Sequence, residues 1–187
     1  TTAAAGAPPF STMAESRDGV PAVANGLRIS SKSPCQQVVF IGAQGSGETY
    51  AQASGLGGPV YEAWLKYADS LPDAAIGYYP VPYPAAPADV VSLMTKKYRA
   101  VFYASIDSGV KETINFIRSR KACGSEHYVF AGYSQGAMAL ERAAHRIFKG
   151  RAAGVPKRTA NRIDGLILIA SGDRIASAKN VNYGTAP

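Results

Sequence analysis

Residues 127–136 read His-Tyr-Val-Phe-Ala-Gly-Tyr-Ser-Gln-Gly, a short apolar run that stops at a Gly-x-Ser-x-Gly pentapeptide. No other stretch restricts the fold as tightly. Ala137, Leu140, Ala144 and Ile147 then recur at helical spacing, so the order is strand, tight turn, helix. Such a turn lifts a serine hydroxyl clear of a sheet, and the two glycines remove Cβ atoms that would clash there. The helix directs its positive end at the serine and favours negative charge developing beside it. Ser134 is therefore the candidate nucleophile. The alternative is a glycine-containing turn whose serine has no chemical part.

Strands and helices alternate through the rest of the chain. Gln37–Ile41 is an apolar run suited to the middle of a sheet, and Gly58–Ala68 is an amphipathic helix with Val60, Trp64 and Tyr67 on one side. Ala74–Tyr79 reads as a strand, after which Pro80, Pro82, Pro84 and Pro87 enforce an extended connection. Ile106–Arg120 is a second amphipathic helix, and Ile163–Ala170 a further buried strand. This alternation predicts one α/β domain, a doubly wound parallel sheet flanked by helices, with its site at the carboxyl ends of the strands. Residues 1–34, rich in Ala, Pro, Ser and Gly, read as a lead segment on the surface or partly disordered, and 35–187 as the folded domain. With 187 residues, 47% of them apolar, a single core is affordable and a second is not expected.

The loop after the first strand, Gly42-Ala-Gln-Gly-Ser-Gly-Glu-Thr49, nearly spells a phosphate-binding loop. Glu48 stands where that loop places its lysine, so a negative charge would face a triphosphate, and Gly55, Gly57 and Gly58 postpone the helix that should open at once. A nucleotide site is disfavoured on both counts. A glycine loop carrying a hydroxyl opposite a nucleophile suits a different task, the second half of an oxyanion hole, and Ser46 is its candidate donor. Ser46 as a plain turn former is the competing reading.

Net charge is +7, yet residues 1–80 carry −2 and residues 81–187 carry +9. One end could attract an acidic polymer or anionic lipid, or the charges could simply solvate a surface. No nucleic-acid motif accompanies them. No apolar run approaches the ~20 residues of a membrane-spanning helix, and the first residues lack the basic and apolar regions of an export signal, which is expected to be removed or never present. Tyr78, Tyr79 and Tyr83 could form an aromatic shelf for a polymer or acyl chain, or pack on the sheet. Cys35 and Cys123 each precede a strand. If those strands are neighbours, a bridge is geometrically reasonable and points to an oxidising compartment; two buried thiols are the alternative.

Gly-Tyr-Ser-Gln-Gly-Ala at 132–137, paired with Gly-Ala-Gln-Gly-Ser-Gly-Glu at 42–48 and with cysteines before both strands, resembles the cutinase family of α/β-hydrolases. The similarity runs from about Cys35 to Asn182. It implies Ser134 as nucleophile, Ser46 and the Gln135 backbone N–H as the oxyanion hole, a Cys35–Cys123 disulfide, secretion, and a carboxylic ester substrate, with no metal or organic cofactor. Gln44 departs from the arginine often found there. The family's triad acid and histidine lie beyond the strand ending at Ala170, in a segment with another disulfide, and the C-terminal part of the fold carrying it is expected to be missing from these residues.

Two histidines are present. His127 opens the elbow strand, roughly 20 Å from Ser134 at ~3.3 Å per residue. His145 lies along the following helix, ~16 Å away at 1.5 Å per residue. A general base needs ~3 Å or one water, so neither serves. Asp173 could orient a histidine supplied from elsewhere, whereas Asp164 begins its strand and faces the other edge. The expected function is a secreted serine esterase acting on lipid, polyester or other aliphatic esters, its triad Asp/His coming from a segment or second chain beyond residue 187. The alternatives are a triad-deficient cell-surface or polymer-binding module, and an acetylxylan-type polysaccharide deacetylase.

Overall fold

The computed structural model describes residues 26–88 and 94–173, together with the backbone of 14–15 and 21–22. β1 (Ala14–Glu15) and β2 (Pro21–Ala22) form a short antiparallel pair. The main sheet contains β3 (Leu27–Arg28), β4 (Val38–Ala43), β5 (Ile76–Pro80), β6 (His127–Tyr133) and β7 (Ile163–Ile169), in the order β3-β5-β4-β6-β7 with every pairing parallel. Among the described residues three α-helices connect the strands: α1 (Gly58–Asp69), α2 (Lys96–Ser119) and α3 (Gln135–Phe148).

The period-2 alternation of a strand sorts the core into two layers. Val39, Ile41 and Ala43 of β4 pack with Tyr128 and Phe130 of β6 against Phe116 and Ile117 of α2 and Leu140, Ala144 and Ile147 of α3. Phe40, Val129 and Ala131 point the other way, onto Val60, Trp64 and Leu65 of α1. Thus α1 covers one face and α2 with α3 covers the other, the doubly wound arrangement expected. β4 leaves towards the first face and β6, its direct neighbour, towards the second, so their carboxyl ends form the switch point at which open α/β sheets bind ligands.

The amino ends of these strands are clamped. The Cys35–Cys123 disulfide joins the approaches to β4 and β6, with Cα atoms 5.4 Å apart. Closing a loop of this length contributes about 4–5 kcal/mol on a chain-entropy estimate. Beside it the Arg120 guanidinium, 2% exposed, bonds the Glu126 carboxylate and the carbonyls of Ser30, Ser33 and Pro34. Glu126 also accepts from the Gln36 N–H and the Tyr128 hydroxyl.

Three elements differ from expectation. β3 and the buried Ile29 belong to the sheet and core, although the sequence places them in the lead segment; two paired residues are too few to show a period. The remaining residues of that segment lie largely outside those described. α2 begins at Lys96 rather than Ile106: its first turns bury none of their residues before Ser105 and leave Tyr98, Val101 and Tyr103 exposed, so no buried stripe announces them. Among the described residues β7 is an edge strand and not a fully buried one. Leu166 is 38% exposed, because among the described residues β7 pairs with β6 alone and no helix covers its outer flank.

Candidate active site

Ser134 stands between the last residue of β6 and the first of α3, with φ 51° and ψ −114°. A non-glycine residue at positive φ is strained, and it persists only where neighbours over-determine it. Here the Ser134 N–H donates to the Ile169 carbonyl at 2.8 Å, tying the turn to β7. A Cβ on Gly132 would lie 2.6 Å from the Ala137 nitrogen, so only glycine lets strand and helix meet at this angle.

The glycine loop after β4 packs directly on this turn. A Cβ at Gly136 would collide with the Ala43 and Gln44 carbonyl oxygens, and one at Gly45 with the Tyr133 ring. The two motif stretches, far apart in sequence, thus touch backbone to backbone. Ser46 follows in the loop. Its Oγ is buried and has no hydrogen-bond partner among the described residues. Gln135 opens α3, where a helix leaves its first backbone N–H groups without intrahelical partners.

The loop is held by groups that sequence reasoning had not assigned. Glu48 accepts from the N–H of Gly45 and, at 2.8 Å, from the N–H of Gly58 at the start of α1. Its carboxylate thereby serves the loop's own backbone, which explains an acid where a phosphate loop would need a cation. The Tyr83 hydroxyl donates to the Gln44 carbonyl, and the Gly47 N–H to the Ala85 carbonyl at 2.8 Å. Burial pushes the Tyr83 phenol pKa up, keeping it a neutral donor. The side chain of Gln135 is fully buried, accepting from the Ser105 hydroxyl at 3.0 Å and donating to the Ala86 carbonyl at 3.3 Å. A serine within the buried stripe of α2 was the available signal for this contact.

The three tyrosines form no shelf. Tyr78 is buried against Trp64, Tyr79 stacks on Phe116 with ring centroids 3.7 Å apart, and Tyr83 lies beneath the loop. His127 is exposed at the amino end of β6, its Nδ1 2.9 Å from Asp164, and His145 is exposed on α3. Both are remote from Ser134, as the residue spacing requires. Asp173 follows β7, but Arg142 engages both its carboxylate oxygens at 2.6 and 2.9 Å. Those bonds hold the guanidinium pKa above its usual range. Asp173 is thus committed to an ion pair. Cys35, Cys123 and Glu126 bring three ligand-type atoms together, yet both sulfurs are bound in the disulfide.

The Cutinase family profile matches residues 34–186. The chain belongs to the cutinase family. By family it is a carboxylic ester hydrolase. Solved structures of similar fold include an acetylxylan esterase at TM-score 0.55 and 17% identity, covering 78% of this chain and 68% of that one. An iodinated complex of acetyl xylan esterase gives 0.51 at 17%, covering 74% and 64%. The catalytic core domain of acetyl xylan esterase from Trichoderma reesei gives 0.50 at 16%, covering 74% and 65%. At these identities the likeness is one of fold, and this cutinase-family chain spans about two thirds of the length of those neighbours. No curated protein matches the sequence. Among the described residues no helix is long and apolar enough to cross a membrane.

Proposed function

We propose that this cutinase-family chain is a secreted serine esterase that cleaves aliphatic, lipid or polyester carboxylic esters through an acyl-enzyme on Ser134. The observation that carries the reading is the strained backbone of Ser134 at the β6–α3 turn, packed against the loop that bears Ser46. Ser134 Oγ attacks the ester carbonyl carbon and the alcohol leaves with a proton; water then attacks the acyl-enzyme and releases the acid. The carbonyl oxygen, negative in each tetrahedral intermediate, is held by the Gln135 backbone N–H and the Ser46 hydroxyl. The unpaired, buried Ser46 Oγ supports that role, since a buried donor without a partner costs about 1–3 kcal/mol until a ligand satisfies it. The scheme uses no metal or organic cofactor. Its proton acceptor is a histidine, with a companion acid, from a segment or second chain beyond residue 187, because both histidines here are out of reach. The disulfide supports an oxidising, extracellular location.

Acetylated polysaccharide is the alternative acyl donor, as the acetyl xylan esterases of similar fold suggest by name. A triad-deficient polymer-binding module is favoured by one observation, the remoteness of both histidines. Intact mass before and after reduction, followed by turnover of p-nitrophenyl acetate and longer esters, decides. A mass above the 19.6 kDa of these residues, or a second chain, with turnover that falls at least ~10³-fold in Ser134→Ala, is the expected result. A single 19.6 kDa species that binds polymer equally well as Ser134→Ala and turns over no ester refutes it.

A further inference from the structure

The segment Tyr83–Ala86 touches both walls of the candidate oxyanion hole. On one wall, the Tyr83 hydroxyl holds the Gln44 carbonyl and the Ala85 carbonyl holds the Gly47 N–H, so the loop is gripped on either side of Ser46. On the other wall, a closed ring of bonds runs from the Ala86 N–H to Ser105 Oγ at 3.1 Å, from that hydroxyl to Gln135 Oε1 at 3.0 Å, and from Gln135 Nε2 back to the Ala86 carbonyl at 3.3 Å. Tyr83, Ala85, Ala86, Ser105 and Gln135 are all buried. Ala85 sits at φ 46°, a left-handed conformation that a non-glycine residue adopts only when both sides are fixed.

We propose that Tyr83–Ala86, braced by Ser105, is a strut that sets the separation and aim of the two oxyanion donors, Ser46 and the Gln135 N–H, which makes Tyr83 and Ser105 positioning residues for ester hydrolysis. The proposal rests on reading Ser134 as an esterase nucleophile. Plain packing does not account for the polar ring. An apolar side chain could fill the Gln135 position, whereas these bonds join the elements that present the donors to one short segment. A donor aimed at a developing oxyanion acts in the transition state, so tilting it lowers kcat and leaves KM nearly unchanged.

The test uses the full-length protein with a p-nitrophenyl ester, and phenylboronic acid as a tetrahedral mimic on Ser134. Removing a hole donor outright costs ~10²–10³-fold, so Ser105→Ala and Gln135→Leu, which keep the N–H but lose its brace, are expected to lower kcat ~10–100-fold with KM within about twofold. Boronate affinity falls by the same factor, and Ser105→Thr, retaining the hydroxyl, recovers most of the loss. Tyr83→Phe, acting on the opposite wall, shows the same split and carries the test alone if the other variants do not fold. Variants with reduced melting temperature but wild-type kcat and boronate affinity assign these bonds to packing and overturn the strut while leaving the esterase reading intact. A wild-type protein that neither hydrolyses ester nor takes a fluorophosphonate on Ser134 overturns the esterase reading, and the strut with it.

Discussion

Gly136→Ala tests the backbone contact on which the whole site depends. A Cβ built on Gly136 lies 2.6 Å from the Ala43 carbonyl carbon and nearer still to the oxygens of Ala43 and Gln44. Ordinary contact begins near 3.4 Å, so turn and loop must separate by about 1 Å. Neither side yields easily: β4 and β6 are paired from Val38 opposite His127 through Ala43 opposite Gly132, and the Ser134 N–H is tied to β7. Forcing one methyl into such packing costs about 1–3 kcal/mol of stability. A misplacement of about 1 Å between nucleophile and oxyanion donors costs ~10²-fold in rate. Gly136→Ala is therefore expected to unfold at lower denaturant and to lose ~10²-fold in kcat on p-nitrophenyl butyrate, with a smaller change in KM. Steady-state kinetics and urea titration on the same preparation separate the two effects. Wild-type kcat in a stably folded Gly136→Ala would refute the reasoning, because the loop and the turn would then not be positioned by this contact.

Two further outcomes follow from the lower half of the molecule and from its buried phenols. Glu126→Ala leaves the Arg120 guanidinium buried without its counter-charge, which costs about 3–5 kcal/mol; urea unfolding checks this, and a loss under about 1 kcal/mol would mean the arginine is solvated from elsewhere. Burial raises the pKa of both Tyr79 and Tyr128 to about 12, with the nearby Glu126 charge adding to the effect at Tyr128. The unfolded chain ionises these phenols at the ordinary tyrosine value of 10.0, so it binds fewer protons than the native state above that pH, and stability is full below pH 10 and falls as pH rises towards 12. Tyrosinate absorbance should rise together with loss of tertiary structure in that window; phenols that titrate near 10 in a folded protein would contradict the burial.

The sheet and the meeting of the two glycine motifs were legible because short-range rules dictate them. Val39–Ile41 and Tyr128–Ala131 are apolar on both faces, which only a strand covered on each side sustains. A serine between glycines at a strand-to-helix junction has few other conformations open to it. The supports were not legible. Arg120, Glu126 and the carbonyls of Ser30, Ser33 and Pro34 come together only after folding, and Ser105 meets Gln135 across a gap in sequence that no periodicity spans. Glu48 was read through the phosphate loop it fails to complete; its partners, Gly45 and Gly58, became visible with the turn that joins them. The exposure of Leu166 escaped for the opposite reason, since an apolar strand carries no mark of whether a neighbour covers it.

The geometry also separates two requirements that a hydrolase usually satisfies together. Stabilising an oxyanion needs donors fixed before the substrate arrives, and the donors proposed for this role, Ser46 and the Gln135 N–H, follow the buried strands β4 and β6, at the point where neighbouring strands send their helices to opposite faces. Moving a proton needs a base within hydrogen-bond reach, and His127 and His145 stand on other surfaces. If the proposed hole is set by β4, β6 and the Tyr83–Ala86 segment, its shape is independent of where a base originates. The esterase and the polymer-binding module would therefore share one site and differ in turnover alone, so proton transfer, rather than ligand affinity, is what distinguishes them.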